Sequence, residues 1–293
     1  MPSERFANRL ISLSKFSATP SDDGLGGGQL GRMLAASASL LNVKVIILDV
    51  GEHAPAKQII APIKPELAHI DGSFKDAEKI LQLAEKVDVL TVEIEHVDVD
   101  VLDKVAQAQN VQVHPSPSTI RVIQDKYNQK KHLRKAGIAV AEFFDIPEPT
   151  TEAIRVAIDK LGVPLMIKSR TLAYDGRGNF VLRHPSQIEE ALVALNDRPL
   201  YAEKWVNFEK EIAVMVVRTV SGAVASYPAV ETVHKDNICL LTFVPLRSSN
   251  PATIINAQRL AESAVLTFEG AGIFGVEMFQ LPDGDSEQFP GLV

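Results

Sequence analysis

The chain has 293 residues, 46% hydrophobic and 23% charged, which is ordinary globular usage and enough for about two domains of roughly 150 residues; a peptide scaffold, a fibrous chain and a disordered one are excluded. With 30 Lys and Arg against 37 Asp and Glu, the formal net charge is −7, and this argues against a general nucleic-acid binder. The single cysteine, Cys239, excludes an intrachain disulfide and a thiol zinc cluster and points to a reducing compartment, the cytoplasm; no run approaches the roughly 18 apolar residues of a membrane helix, so no membrane contact is expected.

Residues 1–25 read as an atypical tail. Arg5, Arg9, Lys15 and several serines, with few acids before Asp22, give a second reading as an organelle transit peptide. From Gly26 to about Val113 the text alternates glycine turns, apolar runs and helical stretches, the pattern of a parallel-sheet α/β unit, set at 26–115. VKVIILDV at 43–50 predicts a buried strand. Residues 76–87 place Ile80, Leu83, Ala84 and Val87 at helical spacing, and VDVLTVEIEHV at 87–97 returns to strand. The prolines of HPSPST at 114–119 mark a break, and a basic connecting helix runs to Gly137 within a segment set at 116–138.

VPLMIKSR, the glycine loop YDGRGN, FVLRH, a helix around SQIEEALVAL and PLYAEKWV then predict a small α+β lid at 139–206. In the remaining segment, 207–293, strands KEIAVMVVRT, GAVASYPAVETVH and ICLLTFVPL precede a helix over 251–271 and the strand IFGVEMFQL. Two features break the pattern. A phosphate-binding glycine loop should follow a buried strand, yet SATPSDDGL precedes Gly26 and the nearest apolar run, LISL, lies over ten residues upstream, so the first strand is expected to be missing or replaced. After IFGVEMFQL the chain reaches PDGD and ends at SEQFPGLV without a hairpin partner, which predicts an open sheet edge.

Several groups are candidates for chemistry. Gly26, Gly28 and Gly31 with Asp49 fit a dinucleotide fingerprint and hence a nicotinamide oxidoreductase; the same glycines equally suit another phosphate at a helix N-terminus, or a plain strand-to-helix turn. Glu93 and Glu95 of VEIEHV share a strand face by alternation, beside His96; a ligand site and a solvated strand edge are equal readings. Lys168 ends an apolar strand, where an ammonium meets triphosphate oxygens, and Gly176 and Gly178 give the loop beside Asp175 and Arg177 the mobility of a flap. The backbone of AEKWV offers an adenine edge, with Glu211 placed for ribose hydroxyls. Glu277 inside GVEMF is a carboxylate that, if buried, needs a partner or Mg²⁺; an exposed position is the alternative. Cys239 reads as a packed strand residue and not as a nucleophile.

Taken in order, GGGQLGRM, IQDKYNQK, IKSRTLAYDGRGN, AEKWVNFEKE, VETVH and GVEMF resemble the 5-(carboxyamino)imidazole ribonucleotide synthetases, ATP-grasp enzymes of purine biosynthesis. In particular they resemble the amino-terminal half of the fungal-type bifunctional phosphoribosylaminoimidazole carboxylases, from about Gly26 to Gly284. The resemblance implies an ATP-grasp fold, mixed α/β and α+β: a Rossmann-like amino-terminal domain, a lid and a carboxy-terminal sheet domain that is incomplete here. It implies carboxylation of aminoimidazole ribonucleotide by ATP and bicarbonate through carboxyphosphate, with Mg²⁺ as cofactor, and a possible homodimer. It places Lys126, Lys168, Gly176 and Gly178 at the ATP phosphates, Glu203, Lys204, Trp205 and Val206 at the adenine, Glu211 at the ribose and His234 in the same site. Lys168, Asp175 and Arg177 become the catalytic set; Gly28, Gln29, Leu30, Glu93 and Asp175 face the ribonucleotide; Glu277 holds the metal. The family continues after GVEMF with a strand bearing an Asn-Glu pair and a basic phosphate-holding segment, whereas DSEQFPGLV stands here, so little turnover is expected. A catalytically inactive ATP-binding or dimerising fragment is the second reading, and the oxidoreductase the third.

Overall fold

The computed structural model describes residues 9–13, 28–62, 64–108, 111–172, 178–195, 198–235 and 238–282. The chain divides into two compact units, Met1–Arg121 and Val122–Val293.

The first unit is built on five parallel strands, β1 (Arg9–Leu13), β2 (Lys44–Asp49), β3 (Ile70–Asp71), β4 (Val89–Val92) and β5 (Gln112–His114), in the order β3-β2-β1-β4-β5. The helices α1 (Gln29–Leu40), α2 (Ala77–Ala84) and α3 (Val99–Gln107) complete it. The unbroken apolar run of β2 is explained by burial on both faces. Ile46 and Leu48 pack with Ile80, Leu83 and Leu102 from α2 and α3, whereas Val45 and Ile47 pack with Ala38 of α1. Asp76 and Asp98 cap α2 and α3, each accepting from the N–H two residues on, at 2.9 and 3.0 Å.

Two sequence expectations are settled here. Of the two readings of the first strand, missing or replaced, the second holds: residues 9–13, inside the supposed tail, form β1 at the sheet centre, Ile11 lying opposite Ile46 on one side and Leu90 on the other. A short apolar run fills a central strand position even when a long connection separates it from the glycines that follow. The strand reading of 87–97 is too long, because β4 stops at Val92 and leaves Glu93, Glu95 and His96 beyond the ladder, where period-two alternation no longer fixes a shared face.

The helix α4 (Pro117–Gln124) runs across the boundary between the units. In the second unit, α5 (Lys126–Lys135) is capped by Asp125, which accepts from Asn128 N–H at 3.0 Å, and it stops where Gly137 turns to φ +78°. A four-stranded antiparallel sheet follows, ordered β6-β9-β7-β8: β6 (Phe143–Ile146), β7 (Leu165–Ser169), β8 (Asn179–Leu182) and β9 (Leu200–Lys204). One face packs on α6 (Thr151–Leu161) and α7 (Ile188–Leu195) through Ile154, Ala157, Leu165, Ile167, Leu182, Ala191, Leu200 and Ala202.

The last sheet contains β10 (Lys210–Arg218), β11 (Val224–Ser226), β12 (Val230–Lys235), β13 (Ile238–Phe243) and β14 (Gly272–Gln280). β10 pairs along its whole length with β14, and on its other side with β12 and then β11. α8 (Pro251–Leu266) covers one face, burying Leu260, Ala261 and Val265 against Ile212, Val214 and Val216. Among the described residues β14 pairs with β10 alone. The predicted helix over 251–271 ends at Leu266, its final turn closed by Phe268 N–H donating to Val265 C=O at 3.1 Å. Cys239 lies on β13 as expected but is exposed, because β13 is an outer strand open to solvent along almost all its length.

Candidate nucleotide site

The second unit carries two groups of ionisable side chains on the sheet faces turned away from α6, α7 and α8. In β7 and β9 the register sets Lys168 opposite Tyr201 and Met166 opposite Glu203, while Ile167 and Leu165 point into the core. Alternation therefore places Lys168, Tyr201 and Glu203 on one face. Glu203 is only 6% exposed, and its carboxylate is spanned by two ammonium groups: Lys168 Nζ donates to Oε2 at 3.1 Å, and Lys130 Nζ lies 3.2 Å from Oε1. Burial pushes the Glu203 carboxyl up, but Lys168 and Lys130 outweigh it and hold the group below the ordinary carboxylate range. Burial lowers Lys130, reinforced by Lys168 and opposed by Glu203. Burial, with the Glu203 charge behind it, raises the Tyr201 phenol, which stays protonated.

α5 reaches this cluster because Arg170 anchors its first turn. Arg170 Nε donates to Asp125 Oδ2 at 3.0 Å, Nη2 to the same oxygen at 2.5 Å and Nη1 to Asp145 Oδ1 at 3.1 Å, and the guanidinium lies 4.8 Å from the centre of the Tyr127 ring. Lys126 N–H donates to Arg170 C=O at 2.8 Å, which holds the start of α5 to the end of β7. Lys126 and Lys130, four apart, share one side of the helix.

The second group lies on the last sheet. Glu211 is opposite Phe279 and Ala213 is opposite Glu277, so Glu211 and Glu277 stand on one face of neighbouring strands. His234 Nδ1 is 2.5 Å from Glu211 Oε2, and the ladder of β12 with β13 slips by one residue between Val233 and His234. Burial raises the Glu211 carboxyl and Glu277 adds to this, while His234 and Lys168 pull it down. Lys168 of the β6-β9-β7-β8 sheet therefore sits close enough to act on Glu211 of the last sheet, which relates the two groups within the unit.

Of the residues proposed from the sequence for the nucleotide, Lys168, Glu203, Glu211 and His234 belong to these two groups. Lys204 ends β9 and pairs with Glu142 at 2.6 Å; beyond it the chain leaves the ladder through Trp205, beside Arg183, and the half-buried Val206. Gly178 precedes β8, its C=O accepting from Ser169 N–H at 2.7 Å. Asp175, Gly176 and Arg177 lie outside the described residues, as do Gly26 and the end segment 283–293. Glu277 is exposed, the second of the two readings its apolar neighbours left open: in an edge strand of this sheet only one face is covered, by α8, and Glu277 is on the other.

Gly28, Gln29, Leu30 and Glu93 belong to the first unit. Gly28 is the buried residue ahead of α1, Gln29 and Leu30 are exposed on its first turn, and Glu93 follows β4. β1 is flanked by β2 on one side and β4 on the other, so the strand order reverses there, and ligands of open parallel sheets bind at the carboxyl ends of such a pair. Asp49 ends β2 but is fully buried, its Oδ1 accepting from Val50 N–H at 2.7 Å, which removes it as an exposed ribose ligand and with it the oxidoreductase reading.

Lys130 is the site residue that sequence reasoning missed. Its signal was the four-residue spacing from Lys126, hidden in a helix rich in lysines that reads as a solvated face.

Residues 24–124 match the ribonucleotide synthetase preATP-grasp domain and residues 131–286 match the ATP-grasp domain. The chain is similar to phosphoribosylaminoimidazole carboxylase of Ogataea methanolica, 56% identical over 89% of this chain and 47% of that protein. It spans about half the length of the curated relatives it matches. A crystal structure of carboxyaminoimidazole ribonucleotide synthase from Aspergillus clavatus complexed with ATP superposes with a TM-score of 0.86 at 48% identity, covering 98% of this chain and 70% of that one. The same enzyme in complex with ADP and 5-aminoimidazole ribonucleotide gives 0.84 at 46% identity, with the same coverage. The sheets, the paired lysines and these matches agree: the chain belongs to the ATP-grasp family, among the carboxyaminoimidazole ribonucleotide synthetases.

Proposed function

We propose that the chain binds ATP at the two ionisable groups of its second unit and uses it, with bicarbonate, to carboxylate aminoimidazole ribonucleotide in purine biosynthesis. The observation that carries this is the pair of ammonium groups on Glu203, one of which, Lys168, also acts on Glu211 beside His234 and Glu277. Phosphoryl transfer asks the protein mainly for positioning and charge neutralisation, and those groups supply both. Lys168, with Lys126 on the start of α5, meets the phosphate oxygens; the backbone of 204–206 reads the adenine edge; Glu211, oriented by His234, takes the ribose hydroxyls. The γ-phosphoryl group passes to a bicarbonate oxygen, ADP leaves, and the amine of the ribonucleotide attacks the carbon of carboxyphosphate as phosphate departs. The ribonucleotide sits against Gly28, Gln29, Leu30 and Glu93, and Asp175 with Arg177 completes the catalytic set.

Among the described residues no group of three His, Cys, Asp or Glu side chains stands ready as a metal cage. Magnesium takes one or two carboxylates and keeps water and phosphate ligands, so exposed Glu277 beside Glu211 fits a magnesium ion that arrives with the nucleotide. Bound there, the ion would neutralise phosphate charge. No helix among the described residues is long and apolar enough to cross a membrane. A reducing, cytoplasmic setting suits the unpaired Cys239 thiol.

The test is phosphate release from ATP by the purified chain with Mg²⁺ and bicarbonate, with and without the ribonucleotide, beside a thermal shift. ATP at 100 times its Kd should add about 2.7 kcal/mol to stability. Ribonucleotide-stimulated release that falls about a hundredfold in Lys168→Ala is the expected result. A thermal shift without release would reduce the reading to nucleotide binding, and neither would overturn it.

A further inference from the structure

Glu203 carries one negative charge in a nearly closed environment and has two cations, one on each oxygen. Lys168, at the end of β7, also acts electrostatically on Glu211; Lys130, on α5, has its Nζ set on Oε1 and does not enter the surroundings of Glu211. One cation would satisfy a carboxylate of this burial. Two make sense if one of them has to leave.

We propose that Lys130 is a positioning residue of the nucleotide site, holding the Glu203 charge so that Lys168 is free to turn from Glu203 to a nucleotide phosphate. This rests on the ATP reading above. In the ligand-free state both ammonium groups share Glu203. When an anionic ligand takes Lys168, the carboxylate stays paired through Oε1 and is not left charged and alone, a state that is strongly unfavourable for a buried ion. Without Lys130, drawing Lys168 toward phosphate would strand Glu203, and the ligand would compete with Glu203 for Lys168. Lys130 need not touch the nucleotide to govern its affinity.

The experiment measures ATP affinity of the full chain with Mg²⁺ by calorimetry, alongside the melting temperature of each ligand-free variant. Lys130→Met should raise the Kd by about tenfold or more, and Lys130→Arg, which keeps the charge, should stay within about threefold of the parent. The decisive arm is reversal: adding Glu203→Gln to Lys130→Met removes the charge that held Lys168 and should recover about fivefold or more of the lost affinity. A lysine that merely supported the fold would show no such recovery. Lys130→Gln carries the same test if Lys130→Met does not fold. Unchanged affinity in Lys130→Met, or a loss that Glu203→Gln does not reverse, overturns the proposal while the ATP reading stands; absence of ATP binding by the unsubstituted chain overturns both.

Discussion

Replacing Arg170 with Met tests how much of the second unit depends on one guanidinium. Arg170 and Asp125 side chains are each 17% exposed, and Asp145 is 33% exposed. The two-pronged contact with Asp125 is a charge-assisted pair in a mostly closed place and contributes about 2 kcal/mol. The more open Asp145 contact adds about 0.5 kcal/mol and the stacking over Tyr127 about 0.5 kcal/mol. Loss of all three, leaving Asp125 without its cation, comes to about 3 kcal/mol, or roughly 6–12 °C in Tm for a unit of this size. Trp205, the single tryptophan of the chain, belongs to this unit, so denaturant unfolding followed by its fluorescence reports here. Arg170→Lys keeps the charge without the planar fork and should recover less than half of the loss. A cycle with Asp125→Ala should show about 1.5 kcal/mol of coupling. If Arg170→Met unfolds within about 0.5 kcal/mol of the parent, or the two losses simply add, the clamp is not what holds α5 to β7.

In the first unit His69 Nδ1 accepts from Ile47 N–H at 3.1 Å and Nε2 lies 3.0 Å from Ile60 C=O, an arrangement for the neutral ring; burial lowers its pKa from the ordinary value near 6.5. The folded state then binds fewer protons than the unfolded one, so this stability is present above about pH 6.5 and declines below it, levelling off beneath the lowered value; in His69→Gln a Tm series from pH 7 to 5 should fall less steeply. Ile154→Ala should cost about 2–5 kcal/mol, since the side chain is fully buried against Leu165 and Leu200, yet ATP affinity at the temperature where the variant is folded should not change. A drop in affinity there would show that the core face and the site face of that sheet are coupled.

The elements with strong periodicity were legible. The run around β2 and the spacing of Ile80, Leu83 and Ala84 mark a doubly covered strand and a one-faced helix, and both pack that way. Lys168 at a strand end and Glu211 on a strand of the next sheet also take the strand positions expected of them, and the Lys168 charge acts on Glu211. Strand β1 was not legible because its connection to α1 is longer than the short turn from which a phosphate loop is recognised. The exposure of Cys239 and Glu277 was not either: alternation tells which residues share a face, but only the position of α8 and the outer place of β13 tell which face is covered. The ion pairs of Lys130 with Glu203 and of Arg170 with Asp125 join residues 73 and 45 positions apart, and only the assembled sheet supplies that proximity.

The register of β7 with β9 also makes residue number a guide to tolerance. On β7 the odd positions, Leu165 and Ile167, look toward α6 and α7, while the even ones, Met166 and Lys168, look toward the site side; on β9 the parity reverses, with Leu200 and Ala202 inward and Tyr201 and Glu203 on the site side. Mutational drift can therefore rework one layer of this sheet for heat resistance without touching Lys168, Tyr201 and Glu203 on the other, and a library confined to Leu165, Ile167, Leu200 and Ala202 explores core packing. Insertion of a single residue in either strand erases that separation, because it moves lysine or glutamate into the apolar layer and isoleucine or leucine to the charged face.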